Sequence, residues 1–152
     1  MIDPEQHLDQ HFRNLALPPA ANEWLRGVWN AIQVLDDVAD GDAIDRPALD
    51  RAIYDLLAGL PSNPFFVAHA GTLLPALALM VLKWKASDTA ERANRADARS
   101  FVWRAGYYDV VLAAVAAHHG PAVAMTVADK VMELYGETLH EYLKEFPPCR
   151  DQ

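Results

Sequence analysis

The stretch NEWLRGVWNAIQVLDDVADG, residues 22–41, decides the fold class, because its apolar residues recur with the period of an α-helix. Asn22 can cap a helix that runs from Glu23 to Asp40, and Gly41 is the kind of residue that ends one. The apolar stripe of this helix consists of Trp24, Leu25, Val28, Ile32, Leu35 and Ala39. The stretch therefore predicts an amphipathic helix.

Helical periodicity continues on both sides of this stretch, and no run shows the alternation of a strand or the turn signals of a hairpin. The further predicted helices cover residues 3–15, 45–59, 64–84, 88–118 and 121–146, with a kink at Pro75. We therefore predict an all-α fold, a compact bundle of five main helices to which a short sixth at the N-terminus can be added. Residues 1–152 are expected to form a single domain.

Composition limits the classes of function. The chain has 152 residues, of which 52% are hydrophobic, and a formal net charge of −8. Such a charge argues against a general nucleic-acid binder, whose basic patch must displace counterions, and it is compatible with cation binding. The one cysteine, Cys149, cannot form an internal disulfide, and the N-terminus lacks the basic and apolar regions of a signal peptide. A cytoplasmic location is expected.

The segment PFFVAHAGTLLPALALMVLKW, residues 64–84, is long enough to span a bilayer. His69, Gly71, Thr72 and Pro75 interrupt its apolar run, and no basic anchor precedes it. We interpret the segment as the central buried helix of the bundle and expect no membrane partner.

Asp36 and Asp40 form a pair of carboxylates one helical turn apart at the rim of the predicted core. Like charges at this spacing repel each other, and a helix C-terminus disfavours negative charge. Magnesium binds one or two carboxylates and fills its other positions with water and phosphate oxygens. The pair is therefore a candidate magnesium site, and a solvated helix terminus is the alternative.

Further candidate contributors are His69, Asp97, Arg104 and Asp109. His69 shares a helix face with Leu73 and Met80, so a hydrogen-bonded core histidine is the alternative to a ligand. Asp97 is expected on an inward stripe and Asp109 at its edge. An inward aspartate needs a partner, and Arg104 is a structural candidate for Asp97, with a metal or a basic substrate as the alternative. A solvated face is the favoured interpretation for the polar residues of the last helix, which are Asp129, Glu133, Glu137, His140 and Glu141.

Residues 36–40, Asp-Asp-Val-Ala-Asp, resemble the Asp-Asp-x-x-Asp motif of trans-isoprenyl diphosphate synthases and their terpenoid-synthase relatives. In that family acids, arginines and often a proline come soon after the motif, and the acids, the arginine and the proline of residues 41–47 are similar. The resemblance implies that Asp36 and Asp40 bind magnesium, that the metal bridges to a substrate diphosphate, and that Arg46 contacts the diphosphate. The family is all-α. The resemblance covers residues 35–51 and a single copy of the motif.

Three functional hypotheses remain open at this point. The first is a magnesium-dependent site for a diphosphate-containing ligand, to which Asp97, Asp109, His69 and Arg104 contribute. The second is a non-catalytic helical module that binds a partner protein or assembles with itself. A homo-oligomer is expected. The third is a hydrolase similar to the all-α nucleoside triphosphate pyrophosphatases. Trp103 and Tyr107 would serve the second if exposed, and would otherwise pack under a neighbouring helix.

Overall fold

A computed structural model describes residues 4–147 of the chain, and within that range every regular element is helical. The all-α prediction is therefore confirmed. The elements in chain order are α1 (Pro4–Asn14), α2 (Pro19–Asp40), α3 (Arg46–Tyr54), a π-helical turn (Asp55–Gly59), α4 (Leu60–Ser62), α5 (Pro64–Arg92), α6 (Ala98–Trp103), α7 (Tyr107–His119), α8 (Pro121–Met132) and α9 (Leu139–Glu145). Helix α3, the π-helical turn and α4 follow one another without a break and together form one continuous helix over residues 46–62. Counted in this way, the described residues hold eight helices rather than the predicted five or six.

The chain divides into two compact units, Met1–Ala70 and Gly71–Gln152. Helix α5 crosses the boundary, and within α5 the backbone leaves helical geometry at His69, with φ −123° and ψ 19°. We expected the irregularity at Pro75, where the missing N–H removes a helical hydrogen bond. The departure lies instead one residue before the boundary between the units.

In the first unit, α2 begins at Pro19, four residues before the predicted start at Glu23. Asn22 therefore lies inside the helix and does not cap it. Pro18 occupies the cap with an extended ψ of 154°, and Pro19 is the first helical residue. Proline suits that position because its fixed φ is helical and no N–H is needed there. The far end agrees with the prediction, since Gly41 ends the helix with a left-handed φ of 76°.

The core of the first unit forms around the buried face of α2. Trp24 and Leu25 are almost fully buried, and the Trp24 ring stacks on Phe66 with 5.4 Å between the ring centroids. Asn63 joins two elements of this unit: its side-chain amide donates to the carbonyl of Ala20 and its Oδ1 accepts from the N–H of Phe65. Asn63 therefore caps the start of α5, as its position before Pro64 predicts.

In the second unit, α5 continues to Arg92, although we predicted a new helix from residue 87 or 88. The chain turns at Asn94, which has a positive φ of 54°, and Asp97 then caps α6 together with Ser100. A single helix over residues 88–118 is therefore wrong. A second break follows α6, and Gly106 begins α7 close to the backbone of Met80.

The predicted last helix is also divided, into α8 and α9. Thr138 caps α9, and its hydroxyl accepts from the N–H of Glu141, while the Glu141 carboxylate accepts from the N–H of Thr138. This reciprocal pair is the capping box, and the sequence Thr-x-x-Glu is its signature. The capping-box residues in the sequence therefore mark the start of α9, which the helical periodicity did not reveal.

Candidate functional site

Asp36 and Asp40 lie in the last turn of α2, where Asp36 is half-buried and Asp40 is exposed. Two backbone bonds close this helix end: Gly41 N–H donates to the carbonyl of Val38, and Asp42 N–H donates to that of Asp37. The described residues contain no group of three or more His, Cys, Asp or Glu side chains arranged to hold a metal ion. Any magnesium bound here would therefore depend on this pair together with water or a ligand.

Arg46 makes an ion pair within its own helix. Its Nε lies 2.8 Å from Oδ1 of Asp50, and both side chains are exposed. An exposed pair of this kind is weak, so Arg46 can leave Asp50 for a stronger anion at little cost.

A cleft of about 430 Å³ opens between α2 and the segment that begins at Asp45. Trp29 and Gln33 line its α2 side, while Asp45 and Arg51 line the other side with Asp55. Asp36, Asp40 and Arg46 are not among its lining residues. The cleft therefore occupies the same helix pair as the acidic motif. Asp36 and Asp40 share the helix face of Trp29 but lie nearer the C-terminus of α2, beyond the lining of the cleft.

His69 and Asp97 have structural neighbours. The imidazole of His69 lies 4.7 Å from the ring of Phe65, centroid to centroid. Asp97 accepts from the N–H groups of Arg99 and Ser100 and forms an ion pair with the Arg99 guanidinium. The hydrogen bonds from Arg99 lower the pKa of Asp97. The expected inward stripe through Asp97 is wrong, because the helix that would carry it begins only at residue 98.

Asp109 also has a partner: its Oδ2 lies 2.5 Å from Nζ of Lys83, which extends from α5. Both side chains are about two-thirds buried. A carboxylate held at this distance by an ammonium group is charge-compensated inside the second unit.

Arg104 does not pair with Asp97 as we predicted. Its Nη1 lies 3.6 Å from Oε2 of Glu137 and 3.9 Å from Oε1 of Glu91, and its guanidinium stands 5.1 Å above the ring of Tyr142. Two carboxylates and an aromatic ring surround the guanidinium. Arg104 therefore links α5, the segment before α9, and α9 itself within the second unit.

Tyr142 extends the same cluster. Its hydroxyl is hydrogen-bonded to Oε1 of Glu91, at 2.9 Å, and to Oγ of Ser100, at 2.7 Å. Ser87 donates to Glu91 as well. Burial raises the pKa of Tyr142, so the phenol stays protonated and keeps donating. The cluster fastens α9 to α5 and α6.

Two further tyrosines, Tyr135 and Tyr108, lie near this cluster. Tyr135 donates to Oε2 of Glu137 over 2.5 Å, and burial together with that carboxylate raises its pKa. Burial raises the pKa of Tyr108 to about 12.

Tyr107 is buried and Trp103 is half-buried, so these two aromatics pack internally rather than form an exposed interface.

One face of α5 presents several large apolar side chains at the surface. Leu73 and Met80 point into the second unit, but four large apolar side chains on the other face are more than half exposed: Leu74 (58%), Leu79 (60%), Val81 (54%) and Leu82 (64%). Gly71, Pro75 and Ala78 lie on this face and are exposed too. We call residues 71–82 on this side the α5 apolar face. The expectation of a wholly buried central helix is therefore wrong.

By length and composition, α5 is the one helix in the described range that could cross a membrane. The mean hydropathy of its most apolar 18-residue window is 2.0, and 17% of that window is buried. The sequence carried the signal for this surface, since no Asp, Glu, Lys or Arg occurs from Pro64 to Leu82. Periodicity could not reveal it, because a helix that is apolar all round has no distinguishable outer face.

Comparison of the chain with protein-family models, with curated proteins and with solved structures gave no match.

Proposed function

We propose that this protein is a helical assembly module that associates with itself through the α5 apolar face. The observation that carries the proposal is the exposure of four large apolar side chains on one side of a helix that bears no Asp, Glu, Lys or Arg there. These four side chains bring an apolar area on the order of 400 Å² to one surface, as large as the largest patch of a typical monomer. Covering it removes that area from water.

The distribution of charge supports a second copy of the chain as the occupant. With a net charge of −8, two copies repel each other across most surfaces. The α5 apolar face is an exception, because it contains no acidic residue. Self-association there brings apolar groups together without opposing two carboxylates.

The opposite face of α5 favours a protein partner over a bilayer. Lys83, which pairs with Asp109 of α7, lies on that face, as does the buried Ser87. If α5 crossed a bilayer, the ion pair would lie at the edge of the hydrocarbon, where charged groups are costly. A second copy needs to cover only the exposed half of the helix.

The test is the size of the protein in solution, measured by sedimentation velocity over a range of concentrations. We expect the wild type to associate and Leu82→Glu to remain monomeric, because the variant buries a carboxylate at the contact. Met125→Glu is the matched control: Met125 is 82% exposed and belongs to another helix, α8, and this variant should associate like the wild type.

Two results would count against self-assembly. One is a wild type that stays monomeric at every concentration. The other is a wild type that is monomeric in solution but floats with phosphatidylcholine vesicles, while Leu82→Glu does not, which would identify a membrane surface as the occupant.

A magnesium site for a diphosphate ligand is the second candidate function. It draws support from the cleft on the helix pair that carries Asp36 and Asp40, and from Arg46, whose exposed pair with Asp50 is easily exchanged. In this proposal the carboxylates hold magnesium and the metal neutralises the charge of the diphosphate, while Arg46 contacts its oxygens. Nucleotide hydrolysis of the pyrophosphatase type would use the same metal.

Calorimetry with magnesium and pyrophosphate tests this second candidate. If it holds, pyrophosphate binds only with magnesium, and Asp36→Ala/Asp40→Ala weakens binding at least tenfold. Asp129→Ala, which removes one exposed carboxylate on α8, should bind like the wild type. Binding unaffected by the double substitution would refute the site, and release of pyrophosphate from a nucleoside triphosphate would favour the hydrolase.

A further inference from the structure

We infer that two copies of the chain pair antiparallel along α5, with Ala78 on the two-fold axis; this inference rests on the self-association proposed above. It specifies the partner as a second copy in one orientation and one register. Three observations carry it: the symmetric arrangement of exposed residues around Ala78, the small side chains at the centre, and the position of the lysines.

The exposed residues of α5 are arranged symmetrically about Ala78. Positions three, four and seven residues away lie on the same side of a helix as the starting residue. On either side of Ala78 these positions hold Pro75 and Val81, Leu74 and Leu82, and Gly71 and Lys85, and all six are exposed. A two-fold axis at Ala78 therefore sets Leu74 of one copy against Leu82 of the other, and repeats that pair on the other side of the axis.

The small residues permit close packing of the two helices. Ala78 at the crossing point adds only a methyl group, so the helix axes can approach to the short end of the usual 8–10 Å range. A Cβ built on Gly71 would meet no other atom within 4 Å, so the space above this glycine is open. In the antiparallel pair the stem of Lys85 from the second copy lies over Gly71, while its ammonium group keeps the ion pair with Asp88 of its own helix.

The position of Lys85 favours the antiparallel orientation. Lys83 and Lys85 are the first charged side chains after the α5 apolar face, at its C-terminal end. Lys83 pairs with Asp109, and Lys85 pairs with Asp88 but remains 64% exposed. A parallel pair would set Lys85 of one copy beside Lys85 of the other. In the antiparallel pair the two are about 21 Å apart along the helix axis, from a rise of about 1.5 Å per residue. That exceeds the Debye length of about 8 Å at physiological ionic strength.

The size of the contact sets the strength expected. An area on the order of 400 Å² from each copy is about half of the 800 Å² per partner that is usual for a stable interface. We therefore expect weak association, with a dissociation constant that is micromolar or higher.

Cysteine cross-linking tests the register. In a Cys149→Ser background, which removes the only native thiol, three variants carry single cysteines at Ala78→Cys, Leu74→Cys and Leu82→Cys. A disulfide requires Cβ atoms about 4 Å apart. Under mild oxidation Ala78→Cys should therefore cross-link to itself. Leu74→Cys should cross-link to Leu82→Cys when the two are mixed, and at least tenfold less to itself.

Sedimentation of the same variants before oxidation separates the two proposals. Dimers in which Leu74→Cys and Leu82→Cys each cross-link to themselves would overturn the antiparallel arrangement and leave self-assembly standing. Dimers without any cross-link through α5 would also overturn it. Monomers throughout would refute self-assembly itself. Met125→Cys is the control for random collision, and its yield sets the background.

Discussion

Gly106 lies at the closest approach of two helices in the second unit. A Cβ built on this residue would stand 3.1 Å from the Cα of Met80 and 3.2 Å from its Cγ. A backbone atom cannot rotate away as the end of a side chain can. The start of α7 and the middle of α5 therefore pack so closely that an added Cβ would force the backbone near Met80 to shift by a few tenths of an ångström.

We predict that Gly106→Ala destabilises the protein by about 1–3 kcal/mol, the usual cost of overpacking a core. Gly136→Ala is the matched control, because Gly136 is exposed and a Cβ there would meet no atom within 4 Å. Urea unfolding followed by circular dichroism measures both. Equal stabilities of the two variants would contradict the close approach of α7 to α5.

At the scale of elements, α9 is short, with seven residues, and such a helix is not stable alone. Tertiary contacts must hold it in place. Tyr142, fully buried, provides hydrogen bonds to α5 through Glu91 and to α6 through Ser100. Arg104 completes the attachment from its position over the tyrosine ring.

We predict that Tyr142→Phe lowers the free energy of unfolding by about 1–3 kcal/mol, because it removes the hydroxyl that is hydrogen-bonded to Glu91 and Ser100. Tyr54→Phe removes the same atom from a tyrosine that is 67% exposed and should change stability little. Hydrogen exchange of the α9 amides would show whether the loss is local. Unchanged exchange and stability in Tyr142→Phe would mean that α9 is held by packing alone.

At the scale of the whole molecule, both units leave apolar groups at the surface. Leu57 in the first unit is 80% exposed, and the α5 apolar face belongs to the second unit from Gly71 onward. Ile53, Tyr54 and Leu56 beside Leu57 are exposed as well. The α5 apolar face differs because no charged residue interrupts it, whereas Asp55 lies within this group and Asp50 and Arg51 precede it.

Self-assembly predicts that the thermal midpoint rises with protein concentration, because association stabilises the folded state by mass action. The midpoint of Leu82→Glu should not change with concentration. Differential scanning calorimetry at two concentrations a hundredfold apart measures both. A wild-type midpoint independent of concentration would argue against the assembly.

The sequence by itself determined the fold class and several helix ends. Three helix ends lie where we predicted them: the start capped by Asp45, the start capped by Asn63, and the end at Gly41. They could be predicted because a cap depends only on neighbouring residues. The Thr138–Glu141 capping box is equally local, although helical periodicity does not reveal it.

Only the tertiary structure decided where α5 ends, which partners Arg104 has and which side of α5 remains exposed. Helical periodicity continues from α5 toward α7, but the turn at Asn94 and the close packing at Gly106 divide it. Arg104 meets Glu91 and Glu137, which are distant in sequence and become neighbours only when the helices pack. The two faces of α5 are equally apolar in sequence, so their exposure depends on which face the rest of the chain covers.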